Sequence, residues 1–308
     1  MAVLLISEFH EPGIWIPAIA EHVPGVEIRA WPDIGDTADI EIVLAYDPPP
    51  GLLAALPNLK AVVNLFAGVE KLLAQRDLPD VPIGRTVDPT MARDMAHYVL
   101  LHALRYFRQM PTVEARQRGR RWEWMKAPKL EEHAIGLMGI GGMGRPIAEM
   151  LASIGLEVRG WGRSPRRIDG IACFHGDGQL DAFLERSRIL VVALPLTRAT
   201  AGIVNARTLA AIPWGSYLIN VGRGEHVVDD DLLAALDSGR LAHATLDVFR
   251  QEPLPADSPF WGHPAITVTP HHSGNVRVRS NSRLLVENIR RALAGEALRD
   301  PVDRARGY

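Results

Sequence analysis

The sequence predicts an α/β fold of two domains, a first, smaller one on a parallel sheet and a second that is doubly wound. Three observations carry that expectation. The chain has 308 residues, enough for two domains of ordinary size. Strand-like and helix-like stretches alternate along it. A glycine turn at Gly139–Gly144 stands between an apolar strand and an amphipathic helix. Composition agrees: 47% hydrophobic and 23% charged residues describe a globular chain. A net charge of -2 supplies no bulk attraction for nucleic acid or an anionic membrane, so neither is expected as a partner. Cys173 is the only cysteine, which excludes an internal disulfide and suits a reducing cytoplasm. The apolar run Ala2–Ile6 lacks a basic lead and meets Glu8, His10 and Glu11 at once, so it does not read as a signal peptide. No apolar run nears the roughly 20 residues needed to span a bilayer.

The first series of elements fills residues 1 to about 90. Val3–Ile6, Val26–Trp31, Ile40–Ala45 and Lys60–Leu65 read as strands, and Ile14–Ala20 and Leu52–Leu56 as helices. Pro48-Pro49-Pro50 closes the third strand, and Phe66-Ala67-Gly68-Val69 follows the fourth. A long helix over Met91–Arg108 counts Met95, Tyr98, Val99, Leu101, Leu104 and Phe107 as its apolar members and has the length to join two domains. Arg116–Lys126 is basic and holds Trp122 and Trp124. Near-neutral overall charge favours a surface arm or subunit contact with tryptophan anchors over a nucleic-acid contact.

The second series starts at Ile135. Gly139, Gly141 and Gly144 fit G-x-G-x-x-G, and Ile147, Met150, Leu151 and Ile154 share one face of the following helix. The first glycine permits the tight turn, the second lets backbone approach a pyrophosphate, and the third lets the helix pack closely. Unpaired N–H groups and the positive dipole end favour a phosphate there. The motif alone is weak, because glycine turns abound; the strand before it and the helix after it supply the context for dinucleotide binding. Glu157–Trp161, Ile189–Ala193, Tyr217–Val221, Ala242–Asp247 and Ile266–Thr269 read as further strands. Asp229–Leu236 reads as a helix with acidic residues at its start and Gly239 near its end. A last helix from about 276 carries Leu284, Leu285, Ile289 and Leu293, and periodicity leaves open where it packs.

In an open α/β sheet, ligands lie beyond the carboxyl ends of the strands. Arg223, Glu252 and His271 each follow such an end. A guanidinium can clamp a carboxylate and polarise an adjacent carbonyl. An imidazole can move the proton, and a carboxylate can orient the ring and favour its charged form. Singly, each has a plainer reading: Arg223 as a solvated loop charge, Glu252 as a turn residue, His271 as a strand cap with His272 as a rival. Their joint position in a nucleotide-binding domain favours chemistry on a keto acid.

These motifs resemble those of the D-isomer-specific 2-hydroxyacid dehydrogenases along nearly the whole chain, and within them the glyoxylate/hydroxypyruvate reductase A group. The matching stretches are Gly139-Ile140-Gly141-Gly142-Met143-Gly144, Asn220-Val221-Gly222-Arg223-Gly224, Asp247-Val248-Phe249-Arg250-Gln251-Glu252-Pro253-Leu254, Thr269-Pro270-His271, and the ending Val302-Asp303-Arg304-Ala305-Arg306-Gly307-Tyr308. The resemblance implies two Rossmann-like, doubly wound parallel-sheet domains with a cleft between them, the final helix returning to the first domain, and a homodimer. The implied division sets a substrate domain, 1–97 with 276–308, against a dinucleotide domain, 98–275. It implies that Arg223 binds the carboxylate and carbonyl oxygen, that His271 protonates that oxygen, and that Glu252 pairs with His271. It assigns cofactor contact to Gly139, Ile140, Gly141, Gly142, Met143, Gly144, Leu194, Pro195, Val221 and Asp247, with Asp247 on the nicotinamide carboxamide. Backbone N–H groups of the Ala67-Gly68-Val69 turn would receive the substrate carboxylate.

Enzymes of this fold that use NAD carry an acid about 20 positions after the glycine turn. That position falls at Gly162, and Arg163, Ser164, Arg166 and Arg167 follow it. Loss of the acid and gain of arginines both favour a 2′-phosphate, hence NADP(H) over NAD(H), against the plainer reading of a solvated basic turn. The expectation is an NADPH-dependent reductase of glyoxylate and hydroxypyruvate. The rivals are a cofactor-sensing, corepressor-like binding protein and a dehydrogenase for another 2-hydroxy acid or phosphite. Formate enzymes of the family place Gln where Glu252 stands, which argues against formate. Tyr46, Met95, Trp261 and Ser273 are expected to line the cleft.

Overall fold

The computed structural model describes residues 1–126 and 134–308. The chain divides into two compact units, Met1–Met91 with Val276–Tyr308, and Ala92–Asn275. The first crossing falls inside a helix and assigns residues 92–97 to the second unit, not to the first domain as the sequence suggested. Met95 and Ala96 are buried in that unit's core, which is the physical reason.

In the first unit, strands β1 (Ala2–Ile6), β2 (Glu27–Ala30), β3 (Ile40–Ala45), β4 (Ala61–Asn64) and β5 (Ile83–Arg85) form a parallel sheet in the order β2-β1-β3-β4-β5. The strands β1, β3 and β4 are buried almost throughout, as expected of a parallel sheet covered on both faces. One face is covered by helix α1 (Pro12–Ala20) and by the last helix of the chain, Val278–Ala294, whose Leu285, Val286 and Ile289 join Val3, Leu5, Ile42, Leu44 and Val63 in one core. The final helix thus belongs to the first unit, as the family resemblance implied. Gly295, in the left-handed region at φ 68°, ends it. The opposite face buries Leu4, Val43, Leu53, Val62 and Leu72, the last on the short helix α2 (Glu70–Leu73).

Helix α3 (Pro89–Phe107) leads into the second unit and is followed by α4 (Met110–Arg118). Its buried stripe is Met95, Tyr98, Val99, His102 and Tyr106. Leu101 and Leu104, expected among its apolar members, are exposed, so the stripe that packs carries polar tips instead. Each tip is satisfied. The Tyr98 hydroxyl meets Thr269 Oγ1 at 2.6 Å, and Thr245 Oγ1 serves both the Tyr106 hydroxyl and His102 Nδ1. Burial lowers His102 to about 4, so its imidazole is neutral in this contact.

The second sheet contains β6 (Ile135–Met138), β7 (Val158–Gly162), β8 (Ala172–His175), β9 (Ile189–Val192), β10 (Ser216–Asn220), β11 (Leu241–Leu246) and β12 (Ile266–Val268). Every pairing is parallel, in the order β12-β11-β10-β9-β6-β7-β8. The order reverses at β6, the strand that enters the glycine turn, so that turn sits at the switch point where such sheets take ligands. Helix α5 (Gly144–Ser153) buries Ile147, Ala148 and Leu151 against this sheet; Ile154, expected on the same face, is exposed just past its end. Further helices are α6 (Leu180–Leu184), α7 (Ala206–Ala211) and α8 (Asp229–Asp237), and the last helix is α9 (Val278–Ala294). The three aspartates opening α8 suit its dipole.

Fully buried Ile289 ties α9 to the first sheet. Ile289→Ala should lower stability by about 2–5 kcal/mol, read from the unfolding midpoint in urea.

Candidate active site

Two turns of the second unit begin from strand ends and meet. β10 ends in Asn220, wholly buried, whose side chain curls round the next turn. Its Oδ1 accepts the Gly222 N–H at 3.1 Å and its Nδ2 donates to the Arg223 carbonyl at 2.9 Å. Buried His226 completes the clamp: its Nδ1 accepts the Arg223 N–H at 2.9 Å, so its proton sits on Nε2, 3.4 Å from the Pro195 carbonyl. The backbone on both sides of Arg223 is therefore fixed. Gly224 lies so close to the other turn that a Cβ there would stand 2.0 Å from the Phe249 carbonyl carbon. No other residue type fits.

That other turn holds Glu252. Its Oε1 accepts the Phe249 N–H at 2.9 Å, and its Oε2 meets His271 Nδ1 at 2.7 Å. Partial burial pushes the Glu252 carboxyl up. The hydrogen bonds from His271 and from Phe249 N–H, with the nearby charges of His271 and Arg223, outweigh burial and hold it below the usual carboxylate value. Arg223, Glu252 and His271, expected together from three strand ends, are thus one electrostatic group.

His271 is placed by Asp247. Fully buried at the end of β11, Asp247 accepts from Thr269 Oγ1 (2.6 Å), His272 N–H (3.0 Å) and Ser273 N–H (2.9 Å) through its side chain, and from His271 N–H (2.8 Å) through its carbonyl. His271 itself adopts φ 49°, a left-handed conformation uncommon outside glycine. The Asp247 bonds hold it there. His272, the neighbouring rival, sets its ring edge-on to Tyr98 at 5.7 Å.

The glycine turn has the steric features its spacing predicts. Gly139 has φ 100°, and a Cβ there would fall 2.5 Å from the Ala193 carbonyl at the end of β9. A Cβ on Gly144 would fall 1.6 Å from the Gly139 carbonyl oxygen. Gly141 has nothing within 4 Å on that side, leaving the backbone open to a ligand. Ile140 and Leu194 are buried, as is Val221, while Gly142, Met143 and Pro195 are only partly buried or exposed. β7 ends at Gly162 with no acid, and Arg163, Ser164, Arg166 and Arg167 form the exposed turn beyond it. These residues fit a dinucleotide whose ribose carries a phosphate.

In the first unit, the Phe66–Val69 turn follows β4 and holds Ala67 and Gly68. Tyr46 stands edge-on to Phe66 at 4.7 Å, within a cluster that includes Phe9 and His10. Of the remaining residues expected to line a cleft, Met95 and Ser273 are buried and Trp261 is exposed. Sequence reasoning does not single out Asn220, His226 and Thr269 as positioning groups; Asn220 and Thr269 sit within motifs that it names, and His226 lies two residues past one.

A family model, D-isomer specific 2-hydroxyacid dehydrogenase, NAD binding domain, matches residues 100–273. The chain belongs to the D-isomer-specific 2-hydroxyacid dehydrogenase family. It is 38% identical to the glyoxylate/hydroxypyruvate reductase A of Serratia proteamaculans and 37% identical to that of Yersinia enterocolitica, each over 100% of both chains. Among solved structures it matches a D-isomer specific 2-hydroxyacid dehydrogenase from Xanthobacter autotrophicus Py2 in complex with NADPH and MES (43% identity, TM-score 0.96, 100% of this chain and 99% of that one). It also matches the NADPH-dependent glyoxylate/hydroxypyruvate reductase of Sinorhizobium meliloti in complex with NADP and sulfate (35% identity, TM-score 0.92, 100% of both chains).

Gly144→Ala forces a methyl group against the turn's own carbonyl. It should weaken NADPH binding by at least about tenfold, measured by quenching of tryptophan fluorescence.

Proposed function

We propose that this chain is an NADPH-dependent reductase of small 2-keto acids, converting glyoxylate to glycolate and hydroxypyruvate to D-glycerate. The observation that carries this reading is the Glu252–His271 pair at 2.7 Å, beside Arg223, in a unit with a dinucleotide turn. Sequence relatives bearing the reductase name and structural relatives bound to NADP or NADPH support the substrate class and cofactor.

Bound NADPH supplies the hydride that reaches the keto carbon. Arg223 clamps the substrate carboxylate and draws charge onto the keto oxygen. His271 in its imidazolium form gives a proton to that oxygen, its Nδ1 being held by Glu252 and its Nε2 left for the substrate. The products are the 2-hydroxy acid and NADP+. General-acid help of this kind contributes about 10²–10⁴-fold. A guanidinium aimed at the developing oxyanion resembles an oxyanion-hole donor, whose loss costs about 10²–10³-fold. Glycines 139, 141 and 144, with Ile140, Gly142 and Met143, would hold the pyrophosphate. Leu194, Pro195 and Val221 would border the cofactor, and Arg163, Ser164, Arg166 and Arg167 would hold the 2′-phosphate. Three donors occupy three of the roughly four acceptor positions of the Asp247 carboxylate, which leaves one for the nicotinamide carboxamide. The N–H groups of Ala67 and Gly68 would receive the substrate carboxylate.

A homodimer completes the proposal. Leu101, Leu104, Met110 and Val113 are exposed on α3 and α4, and Trp122 and Trp124 are 90% and 91% exposed just beyond, an apolar display that suits a subunit contact. A cytoplasmic location fits the single cysteine. Among the described residues, no helix is long and apolar enough to cross a membrane.

The deciding experiment follows NADPH and NADH oxidation with glyoxylate and hydroxypyruvate. Turnover with a KM for NADPH at least about tenfold below that for NADH is expected, because a 2′-phosphate gains charged hydrogen bonds in the arginine turn. Equal KM values refute the cofactor assignment, and no turnover refutes the enzyme.

The pH dependence has a defined sign. Glu252, held below its ordinary value, is ionised at neutral pH and meets His271 Nδ1 as a carboxylate. Keto-acid reduction should fall on the acid side only below the ordinary carboxylate range, where Glu252 takes up a proton and its charge is lost. Glu252→Gln has no such proton to take up, so this acid-side fall should vanish; an unmoved profile rules out the pairing.

A further inference from the structure

The Phe66–Val69 turn is held from behind by one buried side chain. Asn64, the last residue of β4, is 0% exposed. Its Nδ2 donates to the Phe66 carbonyl at 2.7 Å and to the Gly68 carbonyl at 2.6 Å. Both partners are acceptors, so the amide can face them only with its nitrogen, and its orientation is settled by chemistry. The carbonyl between them is also taken: Arg85 Nη1 donates to Ala67 at 3.2 Å. The carbonyl before them, of Leu65, accepts from Thr86 Oγ1 at 2.7 Å. Four successive carbonyls are thus engaged by side chains of this unit.

A peptide plane has two ends. Fixing a carbonyl on one side fixes the N–H of the following residue on the other. With Phe66 and Ala67 carbonyls held, the N–H groups of Ala67 and Gly68 have one direction each. Among the described residues they meet no acceptor. Successive N–H groups held this way form a concavity suited to an anion. The second unit also fixes a turn with a strand-end asparagine, at the carboxyl end of β10, where Asn220 donates to one carbonyl and accepts one N–H of the turn of Arg223.

We propose that Asn64 is a positioning residue for substrate recognition, holding the Phe66 and Gly68 carbonyls on either side of the peptide that Arg85 fixes, so that the Ala67 and Gly68 N–H groups present a preformed seat for the carboxylate of the keto acid. This rests on the reductase reading. Asn64 touches neither substrate nor cofactor; it acts through the turn. Binding energy that depends on a preformed seat is lost when the seat must be ordered at the moment of binding.

The test compares Asn64→Leu, of similar shape but without a donor, and Asn64→Asp, of matching shape, with the wild-type enzyme. The readouts are KM and kcat for glyoxylate, KM for NADPH, and the inhibition constant of oxamate, a keto-acid analogue that cannot accept hydride. In Asn64→Leu, KM for glyoxylate and the oxamate constant should rise together by at least about tenfold, with kcat and the NADPH KM within about threefold of wild type. Asn64→Asp can give one carbonyl an O–H only while protonated. Its glyoxylate KM should therefore climb with pH more steeply than that of wild type, a response that a merely structural role would not produce. This second variant keeps the test open if Asn64→Leu fails to fold. A glyoxylate KM within twofold of wild type in either folded variant, with no added pH response in Asn64→Asp, overturns the inference and leaves the reductase reading intact. Absence of turnover in the wild-type protein overturns that reading and this inference with it.

Discussion

The buried carboxylate of Asp247 is the contact on which the candidate site depends. A carboxyl group taken wholly out of water is costly unless donors surround it. Here the donors are a threonine hydroxyl and two backbone N–H groups, all from the single turn 269–273. Satisfying Asp247 and folding that turn are the same event. The turn in turn holds His271 in a left-handed conformation and delivers its ring to Glu252. A hydroxyl chain extends the arrangement to α3, since Thr269 Oγ1 also meets the Tyr98 hydroxyl. The placement of His271, strand termination and helix packing in this unit therefore share one hydrogen-bonded centre.

The fold was legible where burial imposes a pattern. The strand over Ile40–Ala45 has the same bounds in sequence and structure, because it is apolar and almost wholly buried. The edge strands Ile83–Arg85 and Ala172–His175 left no such trace; they are short, and in the second Ala172 is exposed and Cys173, Phe174 and His175 are only partly buried. Helix α4 escaped notice for the same reason, as none of its residues is buried and no apolar period exists to be read. On α3 the apolar count misled. The face that packs carries Tyr98, His102 and Tyr106, which interior hydroxyls satisfy, whereas Leu101 and Leu104 face away from the core of their own unit.

The candidate reacting groups were easier to find than the side chains that support them. Arg223, Glu252 and His271 are charged or titratable residues just past strand ends, and the architecture gives that position meaning. Asn64, Asn220 and His226 act on backbone atoms, which carry no residue-specific mark in a sequence. An asparagine at the end of a strand reads as an ordinary turn former. Its work becomes visible only when the carbonyls it faces have been placed.

The glycine turn separates two kinds of constraint that a motif writes with one letter. At Gly144 any side chain collides with the protein itself, so selection there acts on the ability to fold. At Gly141 a methyl group would meet empty space, so selection there answers only to what arrives from outside. Neighbouring positions can thus tolerate change on different terms: one is policed by the chain's own geometry, the other by the company it keeps.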